Sequence, residues 1–256
     1  MRRPTSVWIV LLGGFIILPP GNYPVQGHAA QFPYWIIGGA LPSEVWLSKG
    51  WTAPMIALIP AVINGAGRWK KFRPDWSDFA LMVFCLWPAL QAALASVPAP
   101  PGWASTPFLL GTWALPWLLG RLFLRSRQEA LEFAGVLAGM TLALLPIALL
   151  EGIFPDRIYT ALYTTHPFAF DGVSRYIGYR PQALFEHGNQ YGIWCACSAL
   201  AGFWRWQTAE RGDGRANLRA ASAAILAGMT LASQSVGAIV IMLAGLTLLS
   251  IPRGIA

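Results

Sequence analysis

Charge is what this chain has least of. Only 11% of its 256 residues are Asp, Glu, Lys or Arg, where an ordinary soluble domain carries about a quarter. With 55% apolar residues and 13 tryptophans, it has too few polar side chains to solvate a folded surface, which excludes a soluble globular domain. Cysteine is scarce as well. Cys85 stands alone, and Cys195 and Cys197 are separated by a single residue, a spacing that suits no zinc site. No metal or cofactor is therefore expected, and the three thiols read as small buried apolar side chains. Internal repeats are missing, and the apolar stretches hold almost no charge apart from Glu132 near one end. Transporters place ionisable groups near the bilayer midplane and often carry repeats, so a transporter or flippase-like carrier is the weaker of the alternatives.

What is present is a series of long apolar stretches, drawn at 7–20, 51–66, 78–97, 107–124, 130–150, 189–206 and 220–251. Most have the length needed to cross roughly 30 Å of hydrocarbon at about 1.5 Å per residue. The expected fold is all-α: a polytopic transmembrane helix bundle of about seven to eight spans, forming a single integral-membrane domain over residues 1–256. Met1-Arg2-Arg3 followed by Val7 to Leu18 resembles a signal peptide, but Pro19-Pro20-Gly21 brings no small-x-small cleavage site, so the first helix is read as retained.

The formal charge of +7 invites a nucleic-acid reading. The bases instead fall in short clusters between apolar stretches, the pattern of positive-inside orientation. With the N-terminus cytoplasmic, every basic residue lies inside except Lys49, Arg157, Arg175 and Arg180. This describes a multi-pass protein of a bacterial-type inner (cytoplasmic) membrane with membrane lipids, not nucleic acid, as its surroundings.

Two segments resist the simple drawing. Residues 32–47 are apolar but broken by two prolines and Glu44, and are read as interfacial or re-entrant. The tract 220–251 would measure about 48 Å as one helix, too long for one span without extreme tilt. Ser233-Gln234-Ser235 divides it into a split helix pair. Its first half would hold only about 13 residues, roughly 20 Å, placing the polar turn below the outer surface. Non-helical backbone at that depth belongs where it faces protein or a wet cavity.

Residues 151–189 form the one long polar stretch, an outer loop with Arg157, Arg175, Arg180, His166, His187 and Tyr159, Tyr163, Tyr176 and Tyr179. Outside bases oppose the orientation bias, so each needs a reason. Arg157, beside Asp156, suits a headgroup anchor. Arg175 and Arg180 suit an anion, because guanidinium forks hold phosphate oxygens bidentately; tyrosines such as Tyr179 could stack on sugar rings. Gly178, Pro181, Gly188 and Gly192 suit a loop that turns sharply before the next helix near Asn189. Asn189 serves equally as that helix's N-cap or as a site residue. Glu186 and His187 could pair as general base and orienting group, although neighbours on an extended chain point opposite ways.

The stretch Arg180-Pro-Gln-Ala-Leu-Phe-Glu-His-Gly-Asn189 resembles the R-x-x-G-x-F-x-x-P-N signature of the O-antigen ligase and polysaccharide polymerase-like membrane proteins. Thr230 to Ala238 resembles their next element, a short helix followed by S-R-G and another helix, and Asp78 and Gly120-Arg121 look similar to the polymerase relatives. The resemblance covers about residues 75–250. It implies metal-independent transfer or polymerisation of undecaprenyl-diphosphate-linked glycan at the periplasmic face, onto a glycan, lipid or protein acceptor. On this reading Arg180, His187 and Glu186 are the catalytic candidates, with Arg175, Tyr179, Asn189, Ser233 and Gln234 binding substrate. Arg180 and Asn189 match motif positions, whereas Ala183 replaces the motif glycine and Ser233-Gln234 the usual Ser-Arg. The family usually carries a catalytic histidine and a further arginine in a large outer loop beyond this point. The chain is therefore expected to be the N-terminal part of such an enzyme, a short relative in which His187 substitutes, or a non-catalytic subunit of an envelope polysaccharide assembly.

Overall fold

The computed structural model describes residues 5–18, 49–94, 100–154, 157–162, 174–185, 187–209 and 214–251. Segment 32–47, His166, Tyr163 and Glu186 lie outside the described residues. What is described is mostly α-helix, as the all-α reading expects, with a two-residue antiparallel ladder as its one regular strand pairing. The chain falls into two compact units, Met1–Glu129 and Ala130–Ala256. The expected outer loop and split helix pair both belong to the second.

In the first unit α1 (Thr5–Ile17) packs on α2 (Lys49–Trp69). Ala53, Ala57 and Ala61 of α2 are fully buried at four-residue spacing, a stripe small enough for close helix approach. At Gly14 of α1 a Cβ would stand 2.5 Å from that of Ala53. Next come α3 (Trp76–Leu94), α4 (Pro100–Leu109), a π-turn over Leu110–Ala114 and α5 (Leu115–Phe123). Pro116 cannot donate to the helical ladder, and the wider turn, closed by the Leu115 N–H on the Leu110 carbonyl, accommodates the interruption. Gly111 in that turn lies against Trp51, where a Cβ would meet the indole at 2.4 Å.

Carboxylates cap the helices on either side of α5. Asp75 precedes α3 and accepts from the Ser77 N–H at 2.9 Å, while Asp78 accepts from the Asp75 N–H at 2.8 Å. Ser126 and Glu129 make the same reciprocal bonds at the start of α6 (Arg127–Leu142), both 3.2 Å. These are capping boxes, each satisfying two otherwise orphaned donors.

The second unit contains most of α6, then α7 (Leu145–Ile153), α8 (Arg157–Leu162), the hairpin β1 (Ser174–Arg175) and β2 (Gly178–Tyr179), α9 (Gly188–Gln207), α10 (Ala216–Ala232) and α11 (Val236–Ser250). Pro146 in the first turn of α7 breaks the ladder, so 127–153 is one kinked apolar stretch rather than a straight rod. The central helix is α9, with α10 and α11 packed on it. Gly202 faces Ala223 and Leu226 of α10, and Gly245 of α11 lies under Leu200. Between α6 and α9, the Thr141 hydroxyl lies 2.6 Å from that of Ser198 and accepts from the Trp194 indole at 2.8 Å.

The 220–251 tract does break at Ser233-Gln234-Ser235. However, α10 begins at Ala216 and runs 17 residues, through Arg219 rather than starting after it. One helical charge does not stop a run of good helix formers. At about 1.5 Å per residue α10 reaches roughly 26 Å, longer than the roughly 20 Å expected of a 13-residue first half. Cys197 is exposed on α9, unlike buried Cys85 and Cys195, which corrects the expectation for all three. Two stretches, Trp76–Leu94 and Arg127–Ile153, are long and apolar enough to cross a membrane; α1, α10 and α11 are shorter apolar helices.

Candidate functional site

Residues 174–189 fold onto the turn between α10 and α11. The hairpin pairs Ser174 with Tyr179 and Arg175 with Gly178, and Gly178 takes φ +90°, where a side chain would be strained. Gln234, itself at φ +49°, ties this hairpin to the helix turn. Its Oε1 accepts from the Ile177 N–H at 3.1 Å and its Nε2 donates to the Tyr179 carbonyl at 3.3 Å.

Arg180 follows the hairpin and is wholly buried. Its Nε donates to the Ser233 carbonyl at 2.7 Å, and its Nη2 to Asn189 Oδ1 at 2.6 Å. The same Oδ1 accepts from the Ser235 hydroxyl at 3.1 Å. Nη1 has no hydrogen-bond partner among the described residues, and neither has the amide of Gln182, two residues on and also buried. Ser233 caps the C-terminal end of α10, so the guanidinium meets the negative end of that helix. Both acceptors are neutral, and no carboxylate ion-pairs with Arg180 among the described residues. Burial first, and the charge of Arg175 second, hold the Arg180 pKa below the usual arginine range.

Two glycines make the arrangement possible. A Cβ at Gly188 would fall 2.2 Å from Arg180 Nε, and one at Gly192 would fall 2.7 Å from both Ser233 Oγ and Ser235 Cβ. Both lie within α9 rather than in the loop expected for them. They are needed there for close approach, not for turning.

Glu151, near the end of α7 and buried, holds the loop from below. Its Oε2 accepts from the Gln182 N–H at 3.0 Å and the Ala183 N–H at 2.7 Å. Ala183 sits at φ +50°, a left-handed conformation that costs an L-residue about 1–2 kcal/mol. The carboxylate secures a turn that the local sequence disfavours.

Arg180, Asn189, Ser233 and Gln234, singled out from the sequence, thus meet in one place. Tyr179 joins through its carbonyl, and its half-buried ring is not positioned by any of these bonds. Arg175 stands exposed on the hairpin. His187 is the N-cap of α9, its Nδ1 accepting from the Asn189 N–H at 3.0 Å. Of the two roles open to Asn189 in the sequence, the cap falls to His187, whose extended backbone (φ −148°, ψ 139°) puts its ring there and leaves Asn189 for Arg180. Glu151, Gln182 and Ser235 were not singled out. A carboxylate ending an apolar run was the one available signal for Glu151.

Comparison with models of known protein families, with curated proteins and with solved structures returned no match. The likeness to O-antigen ligases and polysaccharide polymerases therefore stands on the residues of this chain alone.

Proposed function

We propose that this chain is a multi-pass protein of a bacterial-type inner membrane that binds a lipid-linked glycan through its diphosphate at the periplasmic face and transfers or polymerises that glycan. The observation that carries the reading is Arg180: a fully buried cation with only neutral acceptors and one nitrogen unpartnered among the described residues. A buried charge left in that state is costly, and an anionic substrate would compensate it. The membrane part rests on the two long apolar stretches and on side chains such as Phe79, Val83, Trp87 and Leu90 of α3, all exposed. Such a contiguous apolar surface suits lipid rather than water.

In the proposed reaction an acceptor hydroxyl attacks the anomeric carbon. The bond to the diphosphate oxygen breaks, and the lipid diphosphate departs with the bonding pair. The main electrostatic task is to stabilise charge building on that leaving group, which the preorganised Arg180 would do, with the exposed Arg175 adding charge. With Nδ1 accepting the cap bond, a neutral His187 carries its proton on Nε2 and donates. The proton released by the acceptor then goes to Glu186 or to the departing diphosphate.

Arg180→Ala should lower glycan ligation or polymerisation by about 10²–10³-fold while the protein stays at normal level in the membrane fraction. Arg180→Lys keeps the charge but loses the fork, and should recover only a part. Wild-type transfer by Arg180→Ala would refute the reading. The role of His187 as a cap favours a second one, a non-catalytic subunit of a polysaccharide assembly. Purified protein would then bind lipid-linked glycan through Arg180 yet turn none over until a separate polymerase is added.

A further inference from the structure

The first unit holds a second basic site, unrelated to Arg180. An open cleft of about 630 Å³ lies between the α2–α3 connection and α5, with Lys71, Arg73, Arg121 and Arg125 around it and Trp117 and Leu124 among its apolar lining. Among the described residues no acidic side chain lines it. Arg121 is held by Asp75 at 2.6 Å and Asp78 at 3.1 Å. The other three cations have no such balance. Among the described residues the Arg125 side chain donates only to the carbonyls of Arg121 and Arg68, at 3.3 and 3.5 Å, its backbone N–H meeting Glu129, and Lys71 and Arg73 are exposed with no ion pair. Trp117 is fixed by its indole N–H on Asp78 Oδ1 at 2.7 Å.

We infer that this cleft binds the phosphate headgroup of an anionic phospholipid of the cytoplasmic leaflet. Three cations whose side chains meet no carboxylate among the described residues line one opening, which calls for an anion. The lining decides its source, because Trp117, Pro116 and Leu124 offer an apolar surface that a free phosphate could not use and a glycerol backbone with the first acyl carbons could. The cleft is also bordered by the polar ends of apolar helices, with α3 beginning just past it and α5 ending at it. That is where headgroups and interfacial tryptophans sit. The inference rests on the multi-pass reading with these ends inside, but not on the glycan chemistry.

The test uses the full chain in detergent, with phosphatidylglycerol, phosphatidylcholine and inorganic phosphate as separate probes and retained lipid read by native mass spectrometry. The variant is Lys71→Gln with Arg73→Gln, whose side chains make no hydrogen bond among the described residues, so folding should be undisturbed. Phosphatidylglycerol should bind in preference to phosphatidylcholine, and the double variant should lose about thirtyfold in affinity, the effect of removing two near-surface cations. Equal binding of both lipids, an unchanged variant, or inorganic phosphate competing as well as the lipid would each overturn the site. Extraction of the chain by alkaline carbonate would overturn the multi-pass reading itself, and the lipid site with it. Retention in the membrane with unchanged phosphatidylglycerol binding would overturn the site alone.

Discussion

The two units treat arginine in opposite ways. In the first, Arg68 reaches Glu129 at 2.5 Å and the Leu122 carbonyl at 3.1 Å, with its guanidinium 5.2 Å from the centre of the Phe123 ring. Arg121 likewise meets Asp75 and Asp78. Glu129 and Asp78 are the capping-box carboxylates of α6 and α3, so the same anions start a helix and neutralise an arginine. Ser77, through its hydroxyl and then its N–H, helps hold the Asp75 pKa below the usual carboxylate value. In the second unit Arg180 is more deeply buried than either, yet among the described residues bonds only neutral oxygens. A guanidinium matched by carboxylates is a structural part, whereas a buried one matched by a carbonyl and an amide keeps its charge uncompensated by those partners.

That contrast can be broken or sharpened by substitution. The largest effect is expected for Gly188→Ala, whose methyl would occupy the space of the Arg180 guanidinium stem. Arg180 or the start of α9 must then shift; transfer should fall as far as in Arg180→Ala, and overpacking should cost about 1–3 kcal/mol of stability. Full activity in Gly188→Ala would show that the Arg180 position is not critical. Glu151→Ala comes next. It leaves the Gln182 and Ala183 N–H groups without their acceptor, at about 1–3 kcal/mol each, and should lower both thermal stability and transfer by freeing the loop that carries Arg180. Arg68→Ala, by contrast, should cost stability, up to about 3–5 kcal/mol if the partly buried Glu129 keeps its charge unpaired, with transfer per folded molecule unchanged. A matching loss of turnover would erase the distinction between the two arginine settings. Ala183→Gly should do least, a change within about 1 kcal/mol, since relief of the left-handed strain is offset by the entropy of glycine; thermal unfolding would read it.

Local features of the fold were legible in the sequence. The apolar runs coincide with most of the helices, although α8 lies in none of them, α4 begins ahead of the 107–124 run and α6 and α7 share one. Ser233-Gln234-Ser235 is too polar to continue a helix through the middle of an apolar tract. Arg180 stood out because in the expected topology it is a base on the side where bases are disfavoured. What escaped depends on partners far apart in the chain. Gly188 and Gly192 look like turn formers until Arg180, Ser233 and Ser235 are placed against them. Glu151 acquires its role only when the 182–183 backbone arrives over it. The division of labour between His187 and Asn189 turned on backbone angles that neighbouring residue types do not specify. Cys197 was misjudged because the buried face of α9 is set by α10 and α11, not by the composition of the helix itself.

The most direct test of the account is the thermal shift given by undecaprenyl diphosphate, without any glycan, in the purified chain and in Arg180→Lys and Arg68→Lys. Binding at a hundredfold excess over Kd stabilises by about 2.7 kcal/mol, so wild type and Arg68→Lys should show the same clear upward shift and Arg180→Lys a much smaller one. Equal shifts in all three proteins would contradict the claim that Arg180 is held ready for a lipid diphosphate.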